Sequence, residues 1–253
     1  MRHFKLTSAA LCCLLASACS TETTNSNDVK TEAIWSDIYV TSNGNDSRVI
    51  AELNVSSRKG NNLNLVSGDK LSVTANSTTK DMEKDVDFFD IDYRVTFPYF
   101  AQDTEYEIKL YRAEEQITLK SKVTLPQAID ILAPQTEQTF PVDEVLDLRW
   151  IKATSPKDNE SLKITISSVC KNGDEEISSS HILSDVEDDG KKSIDFEALE
   201  LFKNEKLNNN FDCTVNFEFE RRRYGTTDSR YASGSRTYAI SHNKLDNINI
   251  TLK

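Results

Sequence analysis

From Ile34 onward, apolar and polar residues alternate with a period of two, and turn-forming clusters break the alternation about every dozen residues. The segments IWSDIYVTS, RVIAELNVSS, LNLVSGDKLSVTAN, DFFDIDYRVTFP, TEYEIKLYR and QITLKSKVTLP follow one another, punctuated by turns such as NGND and RKGNN. In TEYEIKLYR, Tyr106, Ile108 and Leu110 point one way while Glu105, Glu107 and Lys109 point the other. That is an antiparallel strand with one buried and one wetted face. About seven short strands at this spacing predict a β-sandwich over residues 34–125. After Pro126 the pattern resumes in LKITISSVC, EEISSSHIL, KKSIDFEAL, FDCTVNFEFERRRYG, SRTYAISH and NINITLK, which predicts a second sandwich over residues 126–253. Only ALELFKNEKLNNN, Ala198 to Asn210, has helical character, and it reads as a short helix or a bulged loop. The expected fold class is all-β, with two tandem antiparallel sandwiches.

The stretch IDILAPQTEQTFPVDEVLDLRWI resembles the opening of Ig-like and fibronectin-type modules: a strand ending in proline, a polar turn, an aromatic, then a strand ending in Trp150. It is similar in particular to the small Ig-like module of fungal cell-wall proteins and its bacterial look-alikes, which carry glycine where this chain has Asp143 and Glu144. The resemblance implies an Ig-like fold and no particular activity.

Ahead of the first sandwich, Arg2, His3 and Lys5 precede an apolar run from Leu6 to Ala18. The run is short of the roughly 20 residues that cross a bilayer, and its layout is that of a secretory signal. Its end, LASAC, resembles the lipobox of bacterial lipoproteins, with Ala16 at the position where that family prefers leucine. The resemblance implies removal of residues 1–18 and lipidation of Cys19, whose acyl chains would anchor the protein stably to a membrane. Ser20, rather than aspartate, follows that cysteine, which by the same resemblance favours the outer over the inner membrane. Residues 19–33 then form the expected tether. STETTNSNDVKTEA has no hydrophobic period and predicts a flexible coil spanning about 20 Å.

This sorts the five cysteines. Cys12 and Cys13 leave with the signal, Cys19 takes the lipid, and Cys170 and Cys213 remain as an expected disulfide in an exported protein. Alternation puts Cys170 in phase with Leu162, Ile164 and Ile166, and Cys213 in phase with Phe211, Val215 and Phe217. In an Ig-like sandwich their strands, the third and sixth, are antiparallel neighbours.

Acidic residues number 41 against 30 basic, a formal net charge of -11, so a nucleic acid is not an expected partner. Converging catalytic groups are scarce. His181 and His242 are isolated, and the chain has no P-loop, dinucleotide fingerprint, H-E-x-x-H or G-x-S-x-G. No enzymatic activity, cofactor or catalytic residue is expected. Asp185, Glu187 and Asp189 before Gly190 match the first half of an EF-hand loop, but Phe196 stands where the bidentate glutamate belongs. An acidic hairpin turn is favoured over a calcium site. Arg221, Arg222 and Arg223 in ERRRYG either pair with the protein's own carboxylates or form an anion-binding patch flanked by Tyr224 and Tyr231. KDMEKDVDFFDID reads as a solvated, aggregation-resistant strand edge, with a weak cation or ligand edge as the alternative. The expectation is a membrane-anchored envelope lipoprotein that binds or supports an unknown protein or glycan partner, or that assists assembly of a larger envelope complex.

Overall fold

Period-2 alternation makes strands of almost the whole chain, and the computed structural model describes them over residues 22–87 and 90–253. The expected signal peptide, Cys19, and the pair Phe88 and Phe89 lie outside the described residues. The first sandwich contains β1 (Thr23–Asn25), β2 (Ile34–Ser42), β3 (Ser47–Val55), β4 (Asn62–Asn64), β5 (Lys70–Ala75), β6 (Thr78–Asp81), β7 (Glu83–Asp87), β8 (Asp90–Phe97), β9 (Glu105–Arg112) and β10 (Ile117–Thr124). The second contains β11 (Ile131–Ala133), β12 (Thr139–Pro141), β13 (Leu146–Trp150), β14 (Glu160–Asn172), β15 (Glu175–Val186), β16 (Lys191–Ile194), β17 (Asp212–Tyr224) and β18 (Arg236–Thr251).

In the first sandwich, β7, β8, β3 and β2 lie side by side in one layer and face β6, β5, β9 and β10. In the second, β15, β14, β17 and β18 face the smaller layer β11, β13 and β16. Each pair of layers encloses its own apolar core. Ile38, Val40, Leu53, Val73, Ile108 and Leu110 belong to the first; Leu148, Trp150, Ile164, Ile166, Phe217 and Phe219 belong to the second. The chain is all-β, in two β-sandwiches.

The sandwiches are joined through one sheet. SRTYAISH and NINITLK, expected as separate strands, are the two halves of β18, which runs 16 residues without a break. Asn247, at φ +61, and a register shift opposite Val215 and Phe217 switch the phase of alternation within it. Thr237, Ala239 and Ser241 are therefore buried in the first half and Ile248 and Ile250 in the second. Antiparallel β17 covers one edge of β18. On the other edge, Arg236–Ser241 pairs in parallel with Asp37–Ser42 of β2, and Asn249–Thr251 pairs in parallel with β12. One layer of each sandwich thus merges into an eleven-stranded sheet.

Residues 225–235, between β17 and β18, close the opposite side of the junction. Thr226 and Lys122 of β10 exchange backbone hydrogen bonds of 2.8 and 2.9 Å, and Ala232 N–H donates to the Ile34 carbonyl at 2.8 Å. Tyr231 enters the first core. Gly225 is required by this approach: a Cβ there would lie 2.1 Å from the Lys122 carbonyl oxygen.

The stretch expected to be a tether is folded from Glu22 onward. β1 pairs in parallel with β4, and Ser26, Val29 and Thr31 are buried. Its lack of hydrophobic period misled because polar backbone is what this site requires. Arg112, 2% exposed, donates to the carbonyls of Ser26 at 2.9 Å and Val29 at 2.7 Å and pairs with Asp69 at 3.3 Å. Residues 198–210 form successive turns with no helix. Phe196 and Leu201 are buried there, and the Asp195 carboxylate accepts the N–H groups of Glu197 and Ala198.

A fragment ending at residue 125 loses the first half of β18, Tyr231 and Ala239, and leaves Asp37–Ser42 as an open edge. It is expected to melt well below the intact chain and to self-associate, as read by thermal denaturation and light scattering. A monomeric fragment as stable as the intact chain would contradict the shared-sheet account.

Candidate functional site

Alternation along β17 sends Arg221 and Arg223 inward and Arg222 outward, and the strand end carrying them lies at the junction of the sandwiches. Arg221 is 1% exposed. Its Nε and Nη2 hold the Asp188 carboxylate at 2.9 and 3.1 Å, Nη1 donates to the carbonyls of Gln127 and Ala128, and Nη2 donates to that of Ile151. The same carboxylate accepts Trp150 Nε1–H at 2.7 Å. Arg223, also buried, pairs with Glu160 at 2.5 Å and Asp103 at 2.6 Å, and donates to Thr124 Oγ1 and the Leu125 carbonyl.

The connector between the sandwiches is therefore gripped residue by residue. Leu125 is held by Arg223, Gln127 and Ala128 by Arg221, Pro126 by Ser241 Oγ at 2.9 Å, and Ile129 by Asn243 Nδ2 at 2.7 Å. Guanidinium suits this because its planar donors reach several acceptors at once. The expected anion-binding patch is corrected here: Arg221 and Arg223 are enclosed by the protein's own carboxylates and carbonyls, so they are not offered to a ligand. Tyr231, expected to flank the patch, is in the first core, where burial raises its hydroxyl pKa far above the ordinary value.

Arg222 lies on the opposite face, paired with Glu220 at 2.5 Å and 4.6 Å above the Tyr238 ring. Tyr39 stacks on Tyr238 at 5.5 Å, and Arg236, paired with Asp37, approaches the same ring at 5.3 Å. This aromatic and arginine ladder crosses the shared sheet where β17, β18 and β2 meet. Arg236 leads into a row of carboxylates, since the register sets it opposite Asp37, then Glu52, Asp92 and Asp85 on successive strands. Asp85 and Asp92 both pair with Arg94. Among the described residues Glu52 makes no ion pair; desolvation, then the neighbouring charges of Asp37 and Asp90, raise its pKa, against a smaller lowering by Arg58.

Asp185, Glu187 and Asp189 are exposed at and beyond the end of β15, where Asp189 accepts the N–H of Lys191 in a turn. Among the described residues no group of three acidic, histidine or cysteine side chains converges on a metal position. The residue that the every-second-position reading passed over, Asp188, is the one with a structural task, as the partner of Arg221. His181 and His242 lie on separate strands, opposite Ile166 and Glu220. Cys170 and Cys213 are directly opposed on β14 and β17 and form a disulfide with an S–S distance of 2.08 Å.

No family model matches the chain, and no curated protein matches it. Solved structures that it matches include fibronectin(III)-like modules of Clostridium thermocellum CbhA, at 12% identity over 87% of this chain and 94% of that one, with a TM-score of 0.24. A cytokine receptor complex matches at 9% identity over 83% and 94%, TM-score 0.26. The FN1–FN3 domains of chicken CNTN1 match at 9% identity over 85% and 65%, TM-score 0.21. The fold is defined by the strand pairing of the two sandwiches.

Two variants test the electrostatic reading. Arg223→Ala strands the buried Glu160 carboxylate and is expected to cost about 3–5 kcal/mol in denaturant unfolding, with much of it recovered by Arg223→Met combined with Glu160→Gln. A loss below about 1 kcal/mol, the level of an exposed ion pair, would refute the clamp. Folded Glu52 holds its proton more tightly than the unfolded chain does, so its ionised form costs stability at neutral pH, and that cost fades as pH falls through the ordinary carboxylate range. Glu52→Gln should raise Tm near pH 7 and leave it unchanged near pH 3; a lower Tm at neutral pH would contradict this.

Proposed function

We propose that the chain is a non-enzymatic lipoprotein of the cell envelope, anchored through Cys19 at the outer membrane, whose two sandwiches act as one rigid binding or structural element. The observation that carries this reading is the junction. A connector gripped by Arg221, Arg223, Ser241 and Asn243, and a strand shared by both sandwiches, suit a part that transmits position and not one that hinges around a substrate. The lipobox LASAC supports the anchor. A protein or glycan partner would meet strand edges and loops.

The second reading, an accessory factor that assembles with a larger envelope complex, is favoured by β15. Among the described residues this 12-residue strand pairs on one side only, with β14, and it exposes Ile182. An open edge of that length can accept an added strand.

Mass spectrometry of the membrane-extracted protein tests the anchor. The expected N-terminal residue is Cys19 carrying acyl chains, and a soluble chain with an unmodified N-terminus would contradict it. Crosslinking and pulldown separate the two readings, a stable envelope complex favouring the second.

A further inference from the structure

We infer that the turn carrying Arg58 and Lys59 is the membrane-facing tip of the molecule and rests on anionic phospholipid headgroups. The inference builds on the lipid anchor proposed at Cys19 and concerns what that anchor brings to the surface. Two residues, Ser20 and Thr21, separate Cys19 from Glu22, which already belongs to the folded body, its carbonyl accepting the N–H of Asn62 at 3.0 Å. The three steps from Cys19 to Glu22 reach at most about 11 Å, whereas a coil running to residue 33 would have let the body stand about 20 Å away. Lipid attached at Cys19 therefore holds Glu22, and whatever surrounds it, against the headgroup layer.

What surrounds it is the turn after β3. Asn61 Nδ2 donates to Thr24 Oγ1 at 3.2 Å, and β1 runs beside β4 from Thr23 opposite Asn62. The turn is fixed in shape by hydrogen bonds from Val55 N–H to the Asn61 carbonyl and from Gly60 N–H to the Ser57 carbonyl, each 2.9 Å, and by Asn54 Nδ2 on the Arg58 carbonyl at 3.0 Å. Gly60 is obligatory, since a Cβ there would lie 1.7 Å from the Val55 carbonyl oxygen. Arg58 and Lys59 project from this turn exposed, and among the described residues neither belongs to an ion pair. In a chain of net charge -11, these two cations beside the anchor point complement phosphodiester headgroups, while the half-buried Glu52 carboxylate, which also feels the charge of Arg58, makes no ion pair with it.

The sheet sets where the other end goes. β2 and β18 run parallel, and the turn follows Val55, the partner of Ile34, so it lies beyond the start of β18. β18 extends for about 50 Å toward Thr251. At that far end, Ile250 is opposite Cys213, Cys213 opposite Cys170, and the hairpin of Lys171, Asn172 and Gly173 follows. Lys171 is the distal reference for Lys59.

The test uses the lipidated full chain in vesicles of phosphatidylethanolamine and phosphatidylglycerol, labelled with a water-soluble amine-acetylating reagent and read by mass spectrometry. Lys59 is expected to react roughly fivefold more slowly relative to Lys171 than it does in a variant carrying a flexible spacer of about 20 Gly and Ser residues inserted after Ser20. Equal relative reactivity in the two chains would overturn the proposal, as would protection that survives the spacer. A chain that fails to enter vesicles and lacks acyl mass would overturn the anchor reading itself, a result distinct from an anchored chain with a reactive Lys59.

Discussion

The six-residue parallel pairing of β18 with β2 is the contact to which the rest of the junction answers. A strand at the rim of a sandwich carries a row of unpaired backbone donors and acceptors, and β2 would be such a rim. By running 16 residues, β18 covers that rim and still completes the second sandwich with its other half. The pairing fixes where β17 ends, and so brings Arg221 and Arg223 to the level of the connector. Two guanidinium groups enclosed at a junction are tolerable only when most of their donors find partners, and the carbonyls of Leu125, Gln127 and Ala128 with the carboxylates of Asp188, Glu160 and Asp103 supply them, leaving Arg223 Nη2 as the buried donor without a hydrogen bond among the described residues. These contacts add specificity: they admit one position of the second sandwich against the first.

Much of the layout is legible from periodicity. Strands such as TEYEIKLYR and LKITISSVC declare their buried faces, and the phase of Cys170 and Cys213 within those faces is the phase of the bridge they form. The same rule assigns Arg221 and Arg223 to one face and Arg222 to the other. What alternation along a single strand does not carry is which neighbour that face meets, so the arginines' inward side read equally well as an open strand end. Two other features were hidden for identifiable reasons. β18 looked like two strands because the irregularity at Asn247 reverses its alternation inside a run of turn-forming residues. The segment after Glu22 looked like a tether because its contribution is backbone carbonyls for Arg112, which no hydrophobic pattern records.

The proposed function draws on these same facts. If anchored as proposed, a chain clamped at its middle would present its far edges and loops at a fixed height and orientation, which a jointed pair of modules would not. The most direct measurement of the central claim is a set of backbone residual dipolar couplings from the weakly aligned full chain. A single alignment tensor fitting both sandwiches is the predicted result; separate tensors of different magnitude for the two would contradict the rigid junction.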